Sequence, residues 1–129
     1  MPDTLLLPRS LVNHLLHLAQ IAPGGRMAGL IGAKDGLPRS FHATAVSADA
    51  ASRASALEAL RVQGETLLAI LSSHPDSPAE PSDQELVDPD FPDTPRFIIS
   101  LNTKGVLELR GFRRKPNGWQ EIELVLLEE

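Results

Sequence analysis

The sequence predicts a single α+β domain with a largely antiparallel sheet. Three observations carry this: two helical stretches separated by short apolar runs, strict alternation near the C-terminus, and turn signals between neighbouring strands. With 129 residues the chain fits one domain, 1–129, with no internal repeat and no linker. Surface scaling predicts that about two-thirds of the unfolded surface is buried, enough for a core without a metal or disulfide staple.

Residues 8–22 read as an amphipathic helix, with Leu11, Leu15, Leu18 and Ala22 on one stripe and Val12 and Ala19 widening it. Pro8 suits a first helical turn, and Pro23-Gly24-Gly25 ends the helix. The apolar run Met27–Gly32 and the segment Phe41–Val46 read as a hairpin around the Lys34-Asp35-Gly36 turn. A second helix is expected at about 50–63, ending near Gly64, followed by a buried strand from Thr66 to Leu71. Phe97–Leu101 is a further apolar strand. Leu107 and Leu109, then Ile122, Leu124 and Leu126, alternate with charged residues on either side of a Lys115-Pro116-Asn117-Gly118 turn.

Between Pro75 and Pro95 lie six of the eleven prolines, mixed with seven acidic residues. Proline removes ladder donors and clashes with preceding carbonyls, so this stretch is expected to be a long surface loop, with one helical turn at Ser82–Glu85. Its composition leaves little apolar surface to bury, so it is expected to be mobile unless a partner covers it.

Composition excludes several classes. Apolar residues make up 42% and charged residues 22%, as in an ordinary globular protein. A formal charge of −5 disfavours nucleic-acid binding by phosphate neutralisation. No apolar run approaches the ~20 residues that span a bilayer, and Leu5-Leu6-Leu7 has no basic segment before it, so a cytoplasmic protein without a membrane partner is expected. The absence of cysteine removes disulfides, thiol catalysis and Cys-ligated zinc together.

The segment from Leu71 to Glu85 holds His74-Pro75, then Ser82 seven residues after the proline and Glu85 three further on. It resembles the His-x-His-Pro, Ser and Asp signature of the JAMM (JAB/MPN) metalloprotease family. Ala22-Pro23 through Gly29-Leu30-Ile31-Gly32, and Phe97–Leu101, resemble the family's first strand and the strand after its loop. The resemblance spans nearly the whole chain. It implies a cytidine deaminase-like architecture, a curved mixed sheet with helices on both sides. Family chemistry is zinc hydrolysis: two histidines and an aspartate hold the ion, and an upstream glutamate takes the proton of bound water.

Three of those four positions differ here. Ser72 stands for the first histidine, Glu85 for the aspartate, and Arg26 for the base glutamate, while His74 and Ser82 match. A serine hydroxyl is a poor zinc ligand, and a guanidinium cannot act as a base at working pH. Placed ~5 Å from a divalent ion at an effective dielectric of ~20, a guanidinium is repelled by roughly 7 kcal/mol. The expectation is therefore an inactive relative with no catalytic residue and no bound zinc, in which Arg26 either pairs with Glu85 to hold the loop or, like Glu85, points to solvent.

Such a chain is expected to bind a protein: a ubiquitin-like or sulfur-carrier tail, or an active homologue. The alternative is a zinc isopeptidase with Asp76, Glu80 or Asp83 as a substitute ligand. A third class is a structural module whose sheet edge or helix forms a homo-oligomer. Other candidates have plainer readings. His14 and His17, spaced i, i+3, are expected to be exposed surface residues. Ser72 and Ser73 have no basic partner nearby in sequence, which disfavours a serine nucleophile. The basic run Arg110–Lys115 is read as a solvated face.

Overall fold

The computed structural model describes residues 4–44, 50–80, 93–101, 108–115 and 118–128. Strand β1 (Thr4–Pro8) runs directly into helix α1 (Arg9–Ile21), and a short turn at Pro23–Gly25 leads to β2 (Ala28–Lys34) and β3 (Leu37–Ala43). Helix α2 (Ala50–Val62), β4 (Thr66–His74), β5 (Arg96–Ser100), β6 (Glu108–Lys115) and β7 (Gly118–Leu127) complete the described elements. The strands form one sheet in the order β1-β7-β6-β5-β4-β2-β3. Pairs β1–β7 and β4–β5 are parallel and the others antiparallel. The two end strands, β1 and β3, approach with Cα atoms within 8 Å, so the sheet curls into a nearly closed barrel.

Each helix covers one face. Leu11, Val12, Leu15 and Ala19 of α1 pack with Leu7, Met27, Ile31, Ala69, Leu71, Phe97 and Ile99 inside the curl. On the outer face Ala56 and Leu60 of α2 pack on Leu30 and Ile70, and farther along that face Ala79 covers Ile98 and Phe112. Alternation along β2, β4 and β5 generates the two sets: Ile31, Leu71 and Phe97 face inward, Leu30, Ile70 and Ile98 outward. The end of α2 is fixed by Gly64 in a left-handed conformation (φ 76°), with Gly64 N–H donating to Arg61 and Glu65 N–H to Leu60.

The α+β class, the curved mixed sheet and the helices on both faces are as the sequence predicts. Two elements differ. Leu5–Leu7 belong to a strand, too short to announce itself by periodicity and created by pairing with β7. The return strand of the first hairpin begins at Leu37 rather than Phe41, because Pro38 sits where an edge strand bulges and its missing N–H costs little. Among the described residues, no helix is long and apolar enough to cross a membrane. His14 and His17 are exposed, as expected.

Part of the basic run is neutralised. Arg110 donates from Nε and Nη2 to the two carboxylate oxygens of Glu121 at 3.0 and 2.6 Å, and its guanidinium lies 5.1 Å from the Phe112 ring centre. The hydrogen-bonded fork holds the Glu121 carboxyl below its ordinary value, against a smaller opposing effect of burial.

Two outcomes follow for stability. Leu15 is fully buried whereas Ile21, on the same helix, is 63% exposed. Leu15→Ala is expected to cost about 2–5 kcal/mol in urea unfolding, and Ile21→Ala less than about 0.5 kcal/mol. For Glu121, a folded pKa below the unfolded one gives stabilisation that is complete above the unfolded value. That stabilisation is lost as pH falls through the folded value. Because the Glu121 side chain is 49% exposed, the effect is screened to about 0–1 kcal/mol. The urea midpoint of the parent should drop more below about pH 4.5 than that of Glu121→Gln; equal acid sensitivity would contradict the assignment.

Candidate functional site

The residues singled out by the sequence meet where β2 begins and β4 ends. Ala28 pairs with Ser72, and Ser73 N–H donates to the Met27 carbonyl at 2.9 Å. One further step along this antiparallel register sets Arg26 opposite His74. Alternation puts Arg26, Ala28, Ser72 and His74 on the outer face, and Met27 and Ser73 on the inner one. Arg26 is extended (φ −100°, ψ 120°) and exposed; Ser72 and His74 are partly buried.

Ser73 is a structural residue. Its hydroxyl accepts from Met27 N–H and donates to the Gly25 carbonyl, both at 2.7 Å, binding the turn before β2 to the end of β4. Gly25 has φ 71°, and a Cβ there would lie 2.6 Å from Leu101 Cδ1 and 3.0 Å from Pro75 Cβ. The left-handed backbone and this close approach to Leu101 and Pro75 both favour glycine here, next to where Arg26 emerges beside His74.

Beyond His74 the chain folds back over the sheet. His74 Nδ1 lies 2.8 Å from the Pro78 carbonyl, so Nδ1 is the protonated nitrogen and in the neutral ring the lone pair is on Nε2. Ser100, paired with His74 across β4 and β5 and fully buried, donates from Oγ to the Ser77 carbonyl at 2.6 Å. Ala79 is buried on Ile98 and Phe112, and Glu80 lies 3.9 Å from Arg110. The loop expected to be mobile from Pro75 onward is therefore docked over 75–80, because its carbonyls have donors and Ala79 has an apolar seat. Asp76 is exposed. Ser82, Asp83 and Glu85, the helical turn expected there and the Arg26–Glu85 pair lie outside the described residues.

Sequence reasoning missed a second polar group. Ser40 Oγ on β3 donates to Glu65 Oε1 at 2.6 Å, and His42 Nε2 lies 2.8 Å from Ser40 Oγ and 3.3 Å from the same Glu65 oxygen. Glu65 and His42 side chains are only 7% and 13% exposed. The alternate spacing Ser40-x-His42 was the available signal, but Glu65 comes from the distant α2–β4 corner. Serine and histidine share one carboxylate oxygen, whereas a catalytic relay has histidine between serine and acid. The arrangement is a structural staple.

No protein-family model matches the chain, and no curated protein matches it in sequence. Solved structures do. A protein from Desulfitobacterium hafniense superposes with TM-score 0.78 at 24% identity, covering 98% of this chain and 94% of that one. One from Salinibacter ruber gives 0.67 at 24% identity, covering 96% and 92%. A JAB1/MPN domain protein from Archaeoglobus fulgidus gives 0.61 at 13% identity, covering 97% and 98%. The fold is that of a JAB1/MPN domain.

The JAB1/MPN resemblance in sequence implies zinc, and the residues can be tested against that ion. His74 gives Nδ1–H to a carbonyl, a bond that metal-binding histidines also make but that does not by itself mark one. Its neighbours do not complete a set: Ser72 offers a neutral hydroxyl and Arg26 a cation. Among the described residues no three His, Cys, Asp or Glu side chains are grouped to hold an ion. The described donors do not fit zinc, and no hydrolytic step through it follows from them.

The Gly25–Pro75 contact can be isolated by comparison with Gly24, which has a similar φ of 64° but open space around it. Gly24→Ala should cost about 1–2 kcal/mol from the left-handed backbone alone. Gly25→Ala should cost clearly more in the same urea titration, since backbone strain and the clash with Pro75 and Leu101 combine.

Proposed function

We propose that this JAB1/MPN-fold chain acts by binding a protein and not by metal-dependent hydrolysis. The observation that carries the reading is the register at the β2–β4 junction. Under this reading Arg26 and Ser72 stand where the resemblance implies a general base and a histidine, and the register brings both to the strand ends that carry His74. Arg26 can neither take a proton from water nor tolerate a divalent ion beside it. It can donate to the carbonyls or carboxylate of an extended peptide. The partner proposed is the C-terminal tail of a ubiquitin-like or sulfur-carrier protein, or an active homologue, met in the cytoplasm. Loop 75–80, fastened by His74 and Ser100, supplies one wall for such a tail.

The test has two arms. Protein purified without chelator should carry no stoichiometric zinc and release nothing from isopeptide-linked substrates. About one zinc per chain, lost with activity in His74→Ala, would establish instead an isopeptidase with substitute ligands. In the second arm, a ubiquitin-like protein ending in Gly-Gly should bind, and Arg26→Ala should weaken it about tenfold. Equal binding by a tail-truncated partner would place the contact elsewhere.

A further inference from the structure

A cavity of about 550 Å³ opens at the seam where β1 and β3 fail to pair. Ala33 and Lys34, at the end of β2 that pairs with Pro38 and Leu37, lie roughly 23–26 Å along the strand from Arg26, by a rise of ~3.3 Å per residue. The cavity is therefore separate from the His74 site. Its volume falls within the range of about 300–1,000 Å³ typical of small-molecule sites. Leu11, Pro38, Phe41 and Leu127 give it apolar walls, and His14 and Arg39 stand among them.

Two observations make Arg39 the distinctive residue. It is the extra residue of a β-bulge: Gly32 pairs with Ser40 and Ala33 with Pro38, leaving Arg39 between them without a partner on β2. Bulges on edge strands re-aim side chains, and this one sets Arg39 among the residues that line the cavity. The second is charge. The chain carries −5 overall, yet among the described residues no acidic one lines this cavity. The nearby Arg9 is already paired with Glu128, whereas no carboxylate among the described residues pairs with Arg39.

We infer that the seam cavity binds a small amphipathic carboxylate, its charged end held by Arg39 and its apolar body against Leu11, Phe41 and Leu127. A guanidinium takes a carboxylate through two parallel hydrogen bonds, which suits one isolated arginine. The apolar walls account for the rest of the ligand. Such a carboxylate has two sources, a free organic acid or the C-terminus of a peptide with a large apolar last residue.

Sodium octanoate, octylamine and two peptides test this on the full chain by NMR titration and calorimetry. The peptides share a leucine C-terminus, one with a free carboxylate and one amidated. Octanoate should saturate and shift the methyl and ring resonances of Leu11, Phe41 and Leu127, while octylamine should not. Arg39→Gln, at an exposed position, should keep the parent's unfolding midpoint and weaken octanoate about tenfold to a hundredfold, as expected for a lost charged hydrogen bond. Binding of the free-acid peptide more than tenfold tighter than octanoate, with the amide silent, assigns the carboxylate to a chain terminus. The reverse order assigns it to a free acid. Equal binding of octanoate and octylamine, unchanged affinity in Arg39→Gln, or shifts confined to other residues overturns the proposal.

Discussion

Strand β4 is buried on both faces, and the bulge at Leu68 decides which of its side chains go where. Ile31 pairs with Ala69 but Gly32 with Leu67, so Leu68 is an added residue and both it and Ala69 pack on the inner core. From there alternation sends Leu71 and Ser73 inward, and Ile70, Ser72 and His74 outward. Were the same residues in regular alternation with no bulge, the parity set by Leu67 would turn Ser73 outward and bury Ser72 and His74 against α1. The bulge therefore comes before any chemistry at His74.

Its consequence is a division of labour among three consecutive residues. Ser73, facing in, ties β4 to the start of β2 through two short hydrogen bonds. His74, facing out, bonds the loop that follows it, and Ser100 repeats the act one strand over. Residues 75–80 are held by protein donors and a buried alanine. Ser72 is left on the outer face between Ala28 and Ile98, beside the position Arg26 occupies.

Much of this was legible from the residues. The stripe of α1, the buried run of β4 and the alternation of β7 are periodic signals, and burial follows them. The end of a buried strand at His74-Pro75, running into a loop, was also legible, because the proline and the apolar run before it are local features. What sequence concealed is nonlocal. β1 exists only through β7, Arg110 through Glu121, and the docked state of 75–80 through donors on β5 and β4. A proline-rich acidic composition describes how little a loop can bury, yet one alanine and two carbonyls are enough to seat its first turn. Neither bulge is visible to pattern reasoning, since an inserted residue simply resembles a broken alternation.

Those two bulges face each other across β2. On one side the register slips between Ile31 and Gly32, on the other between Gly32 and Ala33, so both ladders are interrupted around the same glycine. A Cβ on Gly32 would lie 2.4 Å from Glu65 Oε1 and 3.2 Å from Ser40 Oγ, so the space its missing side chain leaves is the space the polar cluster fills. Ser40 and His42 bond Glu65 there, joining the edge strand to the α2–β4 corner beside the two register shifts. Buried carboxylates without donors cost several kcal/mol, so this one holds its place only while both β3 side chains reach it. The cluster thus stabilises the two slips together. One slip turns Ser72 and His74 outward at one end of the sheet, and the other turns Arg39 toward the seam at the opposite end. Two surfaces far apart share a single structural cause, and Gly32 is the point at which they meet.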